Sequence, residues 1–212
     1  MLRYLLIACP VKCLPCGISA VRRDPIRGIP QGGRISPGLI VMRKCVAMEV
    51  TTMIKEYKTY YNSEIGLMEI IGTENGIVSV GFVEEKSMND SGIHPCLEEC
   101  IEQIDEYFRG KRREFSLDLQ LHGTDFQKRV WSQLMKIPFG ETSSYKDIAA
   151  SIGNEKAVRA VGNANGKNRI AIIIPCHRVI GSSGKLVGYA SGVWRKEWLL
   201  SHEKKVCSIK RL

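Results

Sequence analysis

Long apolar runs are missing from this chain of 212 residues. No stretch approaches the roughly 18 apolar residues that would read as a membrane-spanning helix, which excludes functions built on one. Regular cysteine spacing is missing as well. The eight cysteines stand at 9, 13, 16, 45, 96, 100, 176 and 207, without the framework of a disulfide-stapled domain, so they read as mostly reduced thiols in the cytoplasm. Phosphate-loop spacing is absent, because "GSSGK" lacks the Gly-x4-Gly-Lys pattern. "GNANGKN" is not a dinucleotide fingerprint, since no strand precedes it. Acidic residues are scarce at the C-terminal end: residues 122–212 hold 16 Lys and Arg against 6 Asp and Glu.

That scarcity is local. The formal net charge is +9, but residues 1–47 carry 8 basic and 1 acidic side chains, and residues 48–121 carry 7 and 15. A basic C-terminal half beside an acidic middle points to a polyanionic partner for the former, most often nucleic acid.

Residues 1–47 mix Pro, Gly and Arg with short apolar pieces and no sustained period. "LIAC" resembles a lipoprotein cleavage box, but the apolar stretch before Cys9 is short for a signal. "CPVKCLPC" has the C-x3-C-x2-C spacing of some iron–sulfur sites, without the large domain that accompanies them. The segment reads best as a disordered or upstream-translated leader, with the folded protein starting near Met48 or Met53.

From Lys58 the pattern becomes regular. "KTYYNSEIGLMEIIGTENGIVSVGFVEE" predicts short strands broken at Gly66 and at Asn75-Gly76, a two-residue hairpin signal. "PCLEECIEQIDEYFRG" places Leu97, Cys100, Ile101, Ile104, Tyr107 and Phe108 on one helical face, with Pro95 at its start and Gly110 at its end. "EFSLDLQL" alternates Phe115, Leu117, Leu119 and Leu121 and predicts a further strand. Residues 58–121 thus read as a small α+β domain without a cluster of catalytic residue types, and its role reads as structural. His94 with Cys96 and Cys100 makes a metal site conceivable, but Cys100 fits the apolar stripe and core packing.

Residues 122–207 form the second domain. Thr124 and Gln127 make a capping box for an amphipathic helix ended by Pro138 and Gly140. Ile148, Ala149 and Ile152, a turn at Gly153, and then Ala157, Val158 and Val161 follow the helix-turn-helix pattern, whose second helix would carry Lys156 and Arg159 outward.

"IIIPCHRVIG" puts Cys176 between Pro175 and His177, after three core isoleucines. A zinc ligand would need partners at short spacing, and a redox pair would need C-x-x-C; neither surrounds Cys176. A cysteine protease, with a His and an orienting Asn or Asp, stays open on spacing alone, as does attack of a thiolate on an alkyl group held by DNA. Either requires an activated thiol, since a free one is only a few per cent ionised at neutral pH. Neighbours on one strand point to opposite faces, so His177 would serve through a turn or a bridging water.

"IPCHRVIG", the upstream helix-turn-helix and the downstream "GYASGVWRKEWLLSHE" together resemble the O6-alkylguanine-DNA alkyltransferases, over about residues 58–206. The resemblance implies an α+β fold, with a small ribonuclease-H-like α/β domain before a mainly helical one. It implies irreversible, single-turnover transfer of an alkyl group from O6 of guanine, and possible activity on O4 of thymine, to Cys176 without cofactor or metal. His177 would act as base through a water, Glu203 would orient the imidazole, and Asn168 would tie the recognition helix to the active-site segment. Double-stranded DNA carrying the lesion would be the partner of a monomeric protein. The target nucleotide must be flipped out of the stack; Arg159 would fill the vacancy and Tyr145 would promote rotation and assist the leaving guanine. Asn154, Lys146, Lys167, Arg169 and Ser182 would contact DNA, with binding that weakens as salt rises. The base pocket would consist of the Cys176 and Val179 carbonyls and the amides of Tyr189, Ala190 and Ser191. The chain departs from many members at Arg169, where they have Pro, and from some at Ala190 and Ser191. The zinc cysteines of certain relatives and the paired cysteines of the adaptive-response regulator are not reproduced. Relatives that sense alkylated guanine without chemistry replace the acceptor cysteine; that alternative, a non-catalytic damage-sensing module, is set against the presence of Cys176 here. A sequence-specific regulator is disfavoured by the small residues Ala157, Ala160 and Gly162 around Arg159.

Overall fold

Three antiparallel strands open the described chain: β1 (Tyr57–Ser63), β2 (Gly66–Thr73) and β3 (Gly76–Phe82), in the order β1-β2-β3. The computed structural model describes residues 55–87 and 93–209, so the leader reading of residues 1–47 lies outside it. Alternation sets the sheet's faces, with Met68 and Ile70 buried two apart on β2. The second hairpin turns at Glu74-Asn75 rather than at Asn75-Gly76, because Gly76 already pairs with Thr73. Gly76 has φ +132°, and a Cβ there would lie 2.5 Å from the Asp118 carbonyl oxygen, so only glycine lets that backbone approach.

α1 (Pro95–Phe108) has proline at its start, a His94 side-chain cap and Gly110 at φ +68° just beyond its end. It buries Leu97, Cys100, Ile104, Tyr107 and Phe108 against the sheet, and Gln103 with them. Gln103 explains why residues 115–121 are not the strand that their alternation predicts. Its amide exchanges hydrogen bonds with both the N–H and the C=O of Ser116, taking up groups a ladder would need. What remains is one bridge, Ile77 with Leu119, made by Ile77 N–H donating to Asp118 and Gln120 N–H donating to Ile77.

α2 (Asp125–Leu134) begins with the expected capping box of Thr124 and Gln127. It stops at Leu134 instead of running to Pro138, and turns fill the gap to Gly140. β4 (Ser143–Ser144) leads into α3 (Tyr145–Ser151), whose start is a second capping box, Ser144 with Asp147. After Gly153 at φ +75° comes a 3-10 turn, Glu155–Ala157, and then α4 (Val158–Gly166). Lys156 therefore lies on the 3-10 turn, exposed, and not on the recognition helix itself. α2 and α4 are locked by Trp131, whose indole N–H donates to the Ala164 carbonyl at 2.9 Å.

β5 (Val179–Ile180) pairs in parallel with β4, and α5 (Val193–Ile209) closes the described chain. One hydrophobic cluster runs from Ile65 to Leu199, so both halves of the chain share it. No helix among the described residues is long and apolar enough to cross a membrane.

Candidate active site

The free edge of β3 carries the segment that presents Cys176. Val80 N–H donates to the Arg169 carbonyl, and Ala171 N–H donates back to Val80, each at 2.8 Å. The backbone is thereby pinned at Arg169. The isoleucines that follow are buried, but they form a tight turn and not a strand. Ile172 sits at φ +71°, a left-handed conformation costly for a β-branched residue. Asn168 holds this turn: Nδ2 donates to the carbonyls of Ile170 (3.2 Å) and Ile174 (2.9 Å), and Oδ1 accepts from Ile170 N–H. The chain then enters a 3-10 turn, Cys176–Arg178, so Cys176 and His177 are not held on opposite faces of one strand.

Cys176 is 5% exposed. Burial pushes its thiol pKa up, against the opposing pull of the Asn168 side chain and the Lys196 ammonium. The resting group is a neutral thiol. His177 is fully buried, and burial lowers its pKa despite Glu203, so the imidazole is neutral near pH 7. Its Nε2 lies 2.8 Å from Glu203 Oε1. A carboxylate only accepts, so Nε2 carries the hydrogen and Nδ1 is left as a lone pair without a protein partner.

Glu203 collects four partners besides solvent exclusion. They are His177, the Tyr107 hydroxyl (2.8 Å), the Gly140 N–H (2.9 Å) and the Arg178 guanidinium (3.0 Å). Burial alone would raise the Glu203 carboxyl, but the hydrogen bond from His177 and the Arg178 charge hold it down at about 2. Arg178 is itself anchored to the Ile137 carbonyl at 2.7 Å. Tyr107 comes from the half of the chain read as structural, and only its burial, which obliges a hydroxyl to find a partner, hinted at this role.

The two-residue pair of β4 with β5 sets Tyr145, just after β4, beside the turn just before β5. Burial raises the Tyr145 pKa, and the nearby Cys176 adds to this, so the phenol stays protonated. Its hydroxyl donates to the Val187 carbonyl at 3.2 Å. Lys196, fully buried, donates to the same carbonyl (3.0 Å) and to Val179 (2.5 Å), and thus ties the loop to the floor of the site. The Val179 carbonyl expected to read the base is already engaged.

Cys176, Asn168, Tyr189, Ala190 and Ser191 line one small cavity of about 30 Å³, joined by Asn165. Val179 and Tyr145 are not part of that lining. Arg195 secures the loop above it: Nη1 donates to Ser191 O (2.6 Å) and Nε to Ile65 O (2.9 Å), with the guanidinium between Phe82 and Trp194. We expect Arg195→Ala to lower the melting temperature by about 4–8 °C, from a loss of roughly 2 kcal/mol, measured by calorimetry. Lys146, Asn154, Arg159, Lys167, Arg169 and Ser182 are all exposed, with Arg159 on α4. Gly162 on α4 leaves room for the Tyr145 ring, 4.0 Å from where a Cβ would stand. No group of three or more His, Cys, Asp or Glu able to hold a metal occurs among the described residues.

Residues 56–121 match the ribonuclease-like domain of 6-O-methylguanine DNA methyltransferase, and residues 125–205 match its DNA-binding domain. A methylated-DNA–protein-cysteine methyltransferase of Methanosarcina barkeri is 48% identical over 70% of this chain and 97% of its own. A crystal structure of the Mycobacterium tuberculosis O6-methylguanine methyltransferase is 42% identical, with a TM-score of 0.66 over 71% of this chain and 94% of that one. A Mycobacterium tuberculosis relative solved in complex with DNA is 45% identical, with a TM-score of 0.64 over 69% of this chain and 92% of that one. Two domain models in the same order, and near-complete coverage of relatives at this identity, lead to one conclusion: the chain belongs to the 6-O-methylguanine DNA methyltransferase family.

Proposed function

We propose that this protein repairs DNA by moving an alkyl group from O6 of guanine to Cys176, once per molecule. The observation that carries the reading is a neutral imidazole with a free Nδ1 lone pair, oriented by an ionised Glu203, immediately after a buried thiol in a cavity. His177 takes the thiol proton through a bridging water, and Glu203 stabilises the imidazolium that results. The sulfur lone pair forms a bond to the alkyl carbon as the carbon–O6 bond breaks, and the electron pair of that broken bond passes to guanine. Tyr145, kept protonated, gives its phenolic proton to the departing guanine, and the proton gained by His177 passes back to the tyrosinate through solvent. The products are a thioether on Cys176 and restored guanine, with no second step to free the sulfur.

The flipped base enters beside Tyr189, Ala190 and Ser191, while Arg159 occupies the space it leaves in the duplex. Lys146, Asn154, Lys167, Arg169 and Ser182 supply phosphate contacts. The division at residues 121 and 122 separates a supporting half from the half that meets DNA, and we place the reaction, carried out by a monomer, in the cytoplasm. Cys96, Cys100, Cys176 and Cys207 are all free thiols, which suits a reducing compartment. The test is intact-protein mass spectrometry after incubation with a duplex containing O6-methylguanine. We expect a stoichiometric gain of one methylene; tight, lesion-selective binding with no mass gain would instead identify a damage sensor.

A further inference from the structure

A larger cavity, of about 410 Å³, shares no lining residue with the one beside Cys176. Its walls are drawn from three stretches of chain, residues 113–119, 135–139 and 173–178. Phe115, Leu117 and Leu119 alternate along one side of the first stretch, half-buried at the margin of the hydrophobic core. Ile137 and Ile173, both buried, line the cavity from the other two stretches. The alternation that forms no strand thus leaves an apolar surface only half covered.

Four charged side chains join this lining, and one of them is paired. Arg178 donates to Glu203 and to the Ile137 carbonyl, so its charge is already engaged. Arg113, Glu114 and Lys136 form no ion pair among the described residues. Glu114 and Lys136 are exposed, whereas Arg113 is half-buried. The Arg113 guanidinium lies 5.7 Å from the centre of the Phe139 ring. It makes one long hydrogen bond, 3.4 Å to the Val206 carbonyl, and its Nε is buried without a partner. A cation drawn out of water with so little compensation is costly, and an anion beside it would remove that cost.

We propose that this cavity is a binding site for a small amphipathic carboxylate, whose apolar body lies on Phe115, Leu117 and Leu119 and whose charge pairs with Arg113. Its volume falls within the range of small-molecule sites, and apolar walls with a few polar groups are their usual make-up. The sign of the charge follows from Arg113 and Lys136 outnumbering Glu114, since Arg178 is neutralised by Glu203. A planar carboxylate suits the guanidinium fork, whereas a phosphate or sulfate dianion would lose more hydration against these apolar walls. Pro175 and Arg178 belong both to this lining and to the segment around Cys176. The occupant therefore touches that segment without entering the cavity beside the thiol.

The experiment titrates the full chain, labelled at its methyl groups, with octanoate and with octan-1-ol, the same apolar body without the charge. Nuclear magnetic resonance reads both the affinity and the place of binding. Octanoate should shift the methyl signals of Leu117, Leu119, Ile137 and Ile173, and should bind about 10-fold more tightly than the alcohol, the order expected for one charge-assisted pair in a half-buried setting. Arg113→Gln should erase that preference and leave the binding of octan-1-ol in place. Equal affinity for acid and alcohol in wild type, shifts confined to other methyl groups, or no binding would each overturn the inference. So would a folded Arg113→Gln that keeps the full preference. If that variant does not fold, the wild-type comparison and the positions of the shifted methyl groups decide the matter alone.

Discussion

Replacing Cys176 with Ala is expected to abolish alkyl transfer altogether while leaving binding to O6-methylguanine duplexes within a few-fold of wild type. The reasons for the two halves of this expectation differ. Transfer needs a sulfur at the end of the cavity, and the other described cysteines are poorly suited. Cys100 is buried in the core with its thiol pushed up to about 12 by burial. Cys96 lies on α1 and is also pushed up by burial, and Cys207 lies on α5 against the Phe139 carbonyl. Binding, on the proposed reading, draws on exposed groups of α3, α4 and the following loops, which the substitution does not touch. Removing one sulfur atom costs about 1 kcal/mol of packing, too little to unfold the chain. Parallel mass spectrometry and titration of labelled duplex would check both halves. Methylation of the alanine variant at another cysteine would sink the assignment of the acceptor.

The second large effect belongs to Glu203. Glu203→Ala strips a buried charge from Arg178 and leaves the Tyr107 hydroxyl and the Gly140 N–H without their acceptor. Breaking a buried pair in this way costs about 3–5 kcal/mol, or roughly 6–20 °C in melting temperature for a chain of this size. The rate should fall by about 10²-fold or more, because the imidazole loses the partner that fixes its tautomer. Glu203→Gln, close in shape, should recover much of the stability and less of the rate. The pH dependence has a definite sign. The folded carboxyl titrates at about 2, below its ordinary value of 4.5, so the network's contribution is fully present above that ordinary value. It is lost as pH falls from there toward 2, and amounts to about 3 kcal/mol. Melting temperature measured across this acid range should drop steeply in wild type and more shallowly in Glu203→Gln. Equal slopes would show that Glu203 does not carry the acid sensitivity.

Elements whose causes are local are legible in the amino-acid sequence. The hairpin strands follow from alternation, α1 from its stripe with Pro95 and Gly110, and the start of α2 from Thr124 and Gln127, because each depends on partners within a few residues. Cys176 and His177 stand out for the same reason: they are neighbours. Residues 115–121 alternate like a strand, yet strand formation needs a partner edge, and the Gln103 side chain takes up part of their backbone. Glu203, Asn168 and Tyr145 are reached through resemblance and not through spacing, since they lie 26, 9 and 32 residues from His177. Tyr107, Lys196 and Arg195 give no sign of a site role in the sequence, because each looks ordinary in its own segment. What distinguishes them is an unpaired or shared polar atom in a dry environment, and burial of that kind is a property of the packed chain. The sequence by itself determined the local elements, singled out Cys176 with its neighbour His177, and set the basic charge of residues 122–212. Only the tertiary structure decided which buried groups meet around Glu203 and Cys176, since desolvation and hydrogen-bond partners are created by contacts distant along the chain.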